Sequence, residues 1–273
     1  MWQKDKIMNE PKKKFKLVTD TRARVILPNT LTLIGVCIGL SSINLALNQN
    51  YKLAIVAILF AAIIDGLDGR IARLIKGTSK VGKELDSLTD IISFGVAPAF
   101  IMYFWILNSL GKVGWLICLI YVVCVALRLA RFNINTDADP SWKDNFFEGI
   151  PSPAGGILVL SPLIYDVSEL DILTLNYQFI TPIIFVVISI LLISKIPTYS
   201  LKKIVVPRST TIFLLFGIVL SFGLLLIFTF KALIMGCLIY LLSIPASIIH
   251  YKKLKKSFVN DNQFIEEEPE DVL

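Results

Sequence analysis

The sequence predicts an all-α, polytopic integral membrane protein, and three observations lead there. Hydrophobic residues make up 55% of the 273, and the mean hydropathy of +0.71 is too high for an ordinary water-soluble domain. The apolar residues gather into eight runs, roughly 27–48, 51–73, 87–108, 113–132, 152–167, 177–194, 211–230 and 232–250. Most are close to the ~17–25 residues that a helix needs to cross the hydrocarbon core. The basic residues also alternate between the run ends. With the N-terminus placed in the cytoplasm, 24 of the 27 Lys and Arg fall in inside-facing segments, and only Lys52, Lys112 and Lys231 remain outside. This is the positive-inside bias. The net charge of +6 is therefore read as a topology signal and an attraction to anionic lipid headgroups. No nucleic-acid partner is expected.

The elements follow in order. Residues 1–24 form a basic tail containing Pro11-Lys12-Lys13-Lys14. Pro28-Asn29 is expected to open the first span, because proline is well tolerated at a helix start. Asn48-Gln49-Asn50 makes a tight outer turn, and Gly77-Thr78-Ser79 marks an inner turn between the second and third spans. The fourth span ends in Arg128-Leu-Ala-Arg131-Phe132-Asn133, and the longest interior loop runs from Asn133 to about Ser152. The fifth run is short and begins with Pro151 and Pro153, and Asp166 to Asp171 forms an acidic outer loop. After the eighth span, Lys252-Lys253-Leu-Lys255-Lys256 returns to the inside, and the acidic end is expected to be disordered. Cys37, Cys118, Cys124 and Cys237 all lie within spans and form no CxxC pair, so they read as small packing residues. The long charged N-terminal stretch and the lack of a small-residue cleavage site argue for a retained first span rather than a cleaved leader. His250, beside Tyr251 at a helix end, reads as interfacial, as do Trp105 and Trp115.

Four aspartates stand out because ionisable groups in or at the edge of a bilayer are expensive and functional by default. They lie in Asp65-Gly-Leu-Asp68-Gly69-Arg70-Ile-Ala72-Arg73 and in Gly82-Lys83-Glu-Leu-Asp86-Ser-Leu-Thr-Asp90. On a helix Asp65 and Asp68 share a face, with Gly69 and Ala72 one turn on. Gly82, Asp86 and Asp90, four residues apart, form a second stripe. Two neighbouring helices can thus aim four carboxylates at one centre. Carboxylate oxygens suit a hard divalent cation, Mg²⁺ or Mn²⁺, one or two in number. With no His or Cys near, zinc is disfavoured. Gly69, Ala72 and Gly82 leave room for a ligand against the backbone, and Arg73 and Lys83 place positive charge at the inner mouth, suited to phosphate.

The spacing D-x2-D-G-x2-A-R-x8-G-x3-D-x3-D resembles the CDP-alcohol phosphatidyltransferase motif at every fixed position. What the resemblance implies is a homodimeric membrane enzyme with a six-helix core that displaces CMP from a CDP-linked lipid by an alcohol. It implies that Asp65, Asp68 and Asp86 are metal ligands, and that Asp90 is both a ligand of a second metal and the catalytic base. It places Gly69, Ala72, Arg73, Gly82 and Lys83 along the CDP site, with Asn29 and Thr32 in a segment that closes over the cytidine. On this reading residues 25–195 are the catalytic membrane core and 196–256 an additional transmembrane hairpin, flanked by cytoplasmic tails at 1–24 and 257–273.

Three further stretches, Asp86 to Ala99, Arg128 to Asn133 and Phe147 to Ala154, are similar to the serine-using branch of that family. That similarity implies CDP-diacylglycerol as donor, L-serine as acceptor and phosphatidylserine as product. It also implies a bacterial-type inner membrane with both termini and the active site on the cytoplasmic side. Ser93, Arg128, Arg131 and Asn133 are the candidate serine or phosphate pocket, since arginine pairs well with carboxylate or phosphate. Another acceptor alcohol (glycerol 3-phosphate, inositol or choline) is the nearest alternative. A divalent-cation transporter is the alternative of another class, and it would want acids near the midplane and a path outward. These acids cluster at the inner edge.

Overall fold

The computed structural model describes residues 21–75, 79–135, 146–170, 176–199 and 211–266. A chain in hydrocarbon must satisfy its own backbone, so apolar runs of this length fold as helices. The helices are α1 (Thr21–Leu47), α2 (Tyr51–Leu74), α3 (Lys80–Asp90), α4 (Ala97–Trp105), α5 (Lys112–Asn135), α6 (Ser152–Val159), α7 (Ser161–Val167), α8 (Tyr177–Ile193), α9 (Thr211–Ile227) and α10 (Thr229–Glu266). The all-α membrane fold class holds. Among the described residues four segments are long and apolar enough to cross a membrane: Ile26–Leu47, Val81–Trp105, Lys112–Ile134 and Thr229–Leu254. Helix α2 has the length, but Lys52, Asp65, Asp68, Arg70 and Arg73 raise its charge.

Helix α1 is the hub, packing against α2, α3 and α4. The α1–α2 hairpin closes through Asn48 to Asn50, with Gln49 at φ 60°. Helix α3 runs directly into a π-helical segment, Ile91–Val96, and then into α4, so that one span carries a π-helical stretch between two α-helical ones. In α1, Gly39 lets this segment come close: a Cβ there would sit 2.5 Å from Ser93 Oγ and 3.1 Å from Ser93 Cα.

The π segment has a local cause. A Phe94 carbonyl in an α-helix would accept from residue 98, which is Pro98 and has no N–H. Tyr121 of α5, fully buried, donates its hydroxyl to that carbonyl at 2.7 Å. The Tyr121 ring meets Phe185 of α8 edge-on at 5.4 Å, within a core that also buries Ile55, Ile58, Ile101, Met102 and Leu107. The outward faces of α8, α9 and α10 expose Ile183, Phe216, Leu226 and Leu242, as a lipid-facing surface should.

Three expectations need correction, and one feature was not foreseen. Pro28 lies inside α1 rather than at its start; its missing N–H costs one bond in the first turns. The fifth run is two short helices, because Pro162 at the start of α7 cannot donate back to the preceding turn. Helix α10 continues to Glu266, past residue 256, where the apolar pattern ends and an acidic tail was expected. Finally, the sequence holds no forecast of a β-ribbon, yet β1 (Phe146–Glu148) pairs antiparallel with β2 (Pro197–Tyr199), Phe147 opposite Thr198. The ribbon ties the chain leading into α6 to the chain leaving α8. Helix α10 lies against β2 and α7. Residues 1–20, most of the Gly77-Thr78-Ser79 turn, 136–145 and 171–175 lie outside the described residues.

Replacing Tyr121 with Phe leaves the buried Phe94 carbonyl without its hydroxyl donor, at a cost of about 1–3 kcal/mol. Thermal unfolding in detergent is expected to show Tyr121→Phe with a lowered midpoint, whereas Tyr103→Phe, at a half-buried ring, should stay near wild type.

Candidate active site

The site forms where the C-terminal turns of α2, all of α3 and the N-terminal part of α1 meet. Ser79 caps α3, its Oγ accepting from Gly82 N at 2.9 Å, as a serine N-cap should. That fixes the phase of α3, so Asp86 and Asp90 face α2. One carboxylate oxygen from each of Asp65, Asp68 and Asp86 lies within 4.8 Å of the others. Asp90 adjoins Asp65 and Asp86, and its carboxylate is within hydrogen-bonding reach of Asp65. All four aspartates therefore share one centre, with Asp90 on its inner flank beside the π segment.

Asp68 is almost fully buried. Its Oδ2 accepts from Thr32 Oγ1 of α1 at 2.6 Å, a short charge-assisted bond. The same hydroxyl lies 3.0 Å from the Pro28 carbonyl. Asp68 Oδ1 and Asp90 Oδ1 are sealed from solvent and have no hydrogen-bond partner. Among the described residues the one ion pair is Lys52–Glu169, so no Lys or Arg neutralises the aspartates directly. Three clustered carboxylates, two orphaned buried oxygens and no ammonium or guanidinium in contact fit a hard divalent cation, whose ligands are carboxylate oxygens.

Asn29 stands at the same mouth. A Cβ on Gly82 would come 2.8 Å from Asn29 Oδ1, so the two expected CDP-site positions on α1 and α3 are in contact. Thr32 faces Asp68 from the turn below. Gly69 has nothing within 4 Å of a would-be Cβ, which leaves open space one turn beyond Asp65 and next to Asp68. Ala72 is half-buried and Arg73 exposed at the end of α2.

The four residues expected in an acceptor pocket divide. Ser93 is buried and points its hydroxyl at the Gly35 carbonyl, 3.4 Å away, inside the contact between α1 and the π segment. Arg131 Nη1 donates to the Ile193 carbonyl at 2.6 Å, capping the end of α8. Asn133 donates to Ser87 Oγ at 2.9 Å, and its carbonyl accepts from Lys83 Nζ at 3.3 Å; these bonds clamp α5 to α3. Arg128 differs from the others. It is 9% exposed, gives Nη1 to Ser152 Oγ at 2.7 Å, and leaves Nε buried without a partner. Asp90 is the carboxylate with which it interacts electrostatically, with no carboxylate at ion-pair distance among the described residues. Sequence reasoning quoted Ser152 without a role and missed Tyr121. A tyrosine in mid-span was the available signal, since a buried hydroxyl seeks a partner.

A family model for CDP-alcohol phosphatidyltransferase matches residues 25–244. The chain belongs to the CDP-alcohol phosphatidyltransferase family. Among curated relatives, a protein of Mycobacterium leprae named CDP-diacylglycerol–serine O-phosphatidyltransferase is 42% identical over 193 residues, 67% of this chain and 61% of that protein. Proteins of the same name from Helicobacter pylori and Bacillus subtilis are 36% identical over 179 residues and 34% over 178. Those two matches cover 66% of this chain with 74% of the Helicobacter protein, and 65% with 92% of the Bacillus protein. The match spans less than two thirds of the mycobacterial relative's length. For a member of this family, the acidic triad is where a divalent ion would be held.

Thr32→Val removes the donor to buried Asp68 Oδ2 and should cost about 1–3 kcal/mol when divalent ions are chelated. Added Mn²⁺ should restore part of the lost thermal midpoint, because a cation offers the oxygen a new partner. A variant as stable as wild type in EDTA would show that the Thr32–Asp68 bond is not holding the cluster.

Proposed function

We propose that this protein transfers the phosphatidyl group of CDP-diacylglycerol to the hydroxyl of L-serine, releasing CMP and forming phosphatidylserine. The observation that carries the reading is a pair of complementary charges at one inner-edge site. Four gathered carboxylates on α2 and α3 face the buried, partly unpaired guanidinium of Arg128 on α5. The names of the relatives support serine as acceptor.

Asp65, Asp68 and Asp86, with Asp90 as a ligand of a second ion, would hold Mg²⁺ or Mn²⁺. A divalent ion there supplies charge neutralisation for the transferred phosphoryl group. The chain's own residues do the rest. Asn29, Thr32, Gly69, Ala72, Arg73, Gly82 and Lys83 form the CDP side, with Gly69 leaving room and Arg73 and Lys83 supplying positive charge. Arg128 orients the acceptor through its carboxylate. Asp90 takes the proton from the serine hydroxyl. The serine oxygen forms a bond to the lipid-side phosphorus as the phosphorus–oxygen bond to CMP breaks, and CMP leaves with both electrons of that bond. Burial of the site strengthens each of these electrostatic contacts relative to water. Ser93, Arg131 and Asn133 support the walls through the bonds described above.

The same reading puts the site at the cytoplasmic face of a bacterial-type inner membrane, with both termini inside, in a homodimer. Residues 25–195 form the catalytic core, and 196–256 add a hairpin.

Purified protein in detergent with CDP-diacylglycerol, Mn²⁺ and a panel of alcohols is expected to release CMP with L-serine alone. Asp90→Asn should lower turnover by at least about a hundredfold, the usual scale of a lost general base, while CDP with Mn²⁺ still raises its thermal midpoint. Release with another alcohol would overturn the acceptor. Loss of CDP protection together with activity would leave Asp90 as a metal ligand only.

A further inference from the structure

Helix α10 lies outside the expected catalytic core, yet it reaches the site. It packs along β2, and its Tyr240 lies beside Thr198 of that strand. Thr198 donates its own hydroxyl proton to the Gly149 carbonyl at 2.7 Å, which ties β2 to the chain leading into α6. Three residues after Gly149, Ser152 receives Arg128 Nη1. The path Tyr240, Thr198, Gly149, Ser152, Arg128 is therefore continuous, and Tyr240 stands in the electrostatic field of Arg128.

Two polar atoms at the ends of this path are buried and without a hydrogen bond: Arg128 Nε and Tyr240 Oη. A buried unpaired hydroxyl or guanidinium N–H carries a desolvation cost. Arg128 interacts electrostatically with Tyr240, and two buried donors left open in one neighbourhood point to a ligand that pairs with them. A guanidinium with an open N–H and a hydroxyl donor near it call for an anionic oxygen group. An acceptor carboxylate and a donor phosphoryl group share that chemistry. Asp65, Asp68 and Asp86 already organise the phosphoryl side from α2 and α3, whereas Arg128 and Tyr240 approach from α5 and α10.

We propose that Tyr240 of α10 completes the acceptor pocket, donating its hydroxyl proton to the acceptor carboxylate that Arg128 binds. The inference rests on the serine-transfer reading above. It makes the C-terminal hairpin a specificity element, and it explains why an apolar helix keeps a buried tyrosine hydroxyl.

The test compares wild type with Tyr240→Phe, using L-serine and serinol, which keeps the amine and hydroxyl but lacks the carboxylate. Wild type must first release CMP with L-serine; if it does not, the serine reading fails and this inference falls with it. Given that activity, Tyr240→Phe should raise the KM for L-serine about tenfold, the scale of one hydrogen bond to a charged group. The KM for CDP-diacylglycerol and the kcat should change little, and the preference for L-serine over serinol should shrink by the same factor. Without serine the variant should unfold no earlier than wild type, since it loses only an unpaired hydroxyl, and L-serine should raise the midpoint of wild type more than that of the variant. An unchanged KM for serine with wild-type discrimination against serinol would overturn the role of Tyr240 alone. A raised KM for CDP-diacylglycerol instead would assign the hydroxyl to the phosphoryl group and overturn the proposal.

Discussion

Mutual repulsion among Asp65, Asp68, Asp86 and Asp90 is the constraint around which the inner half of this molecule is arranged. Two like charges 4 Å apart oppose each other by about 4 kcal/mol at an effective dielectric of about 20, and three of these carboxylates approach within 4.8 Å. No basic side chain among the described residues pairs with them, and Asp68 and Asp90 each keep a sealed oxygen without a partner. Such a centre calls first for surrounding helices that are held rigidly, and a divalent cation joining the cluster would relieve its repulsion. The fold meets the first requirement several times over. A three-residue turn closes α1 on α2, Ser79 sets the phase of α3, and Gly39 admits the π segment against α1. Tyr121 ties that segment to α5.

The site has two sides built from different elements. Helices α2 and α3 bring acid, with α1 supplying Thr32 and Asn29 at the mouth. Helix α5 brings Arg128, supported by Ser152 at the start of α6. The β-ribbon and α10 press against this second side through Thr198 and Tyr240. On the proposed reading, cation-binding and anion-binding groups stand on separate helices, so that each charge can face the other across a ligand. Direct contact would instead neutralise them as an ion pair, and a buried salt bridge of that kind would leave nothing for a ligand to bind.

Much of this was legible in the sequence because helices convert spacing into direction. Asp65 and Asp68 at i, i+3, and Gly82, Asp86 and Asp90 at i, i+4, i+8, could be placed on facing stripes before any coordinates. The apolar runs translated into helices, although the fifth divided in two and the last continued to Glu266. What stayed hidden depends on contacts between distant segments. The ribbon joins residues about 50 apart and each strand is three residues long, too short for a pattern. The π segment follows from Pro98 together with a hydroxyl on another helix. Arg128 and Arg131 looked equivalent at i, i+3, yet one caps α8 and the other keeps a free donor; only tertiary packing separates them. Nothing in the sequence around Tyr240 singles it out from the other residues of its apolar run.

The central claim is that the aspartate centre is a divalent-cation site shared with a cytidine diphosphate ligand. Electron paramagnetic resonance of Mn²⁺ titrated into the purified protein in detergent, with and without CDP, tests this most directly. The account predicts saturation at one or two ions per chain, tightened by CDP, and loss of that saturable binding in Asp68→Asn and Asp86→Asn variants that remain folded. Weak, unsaturable Mn²⁺ binding that ignores CDP and survives both substitutions would contradict it.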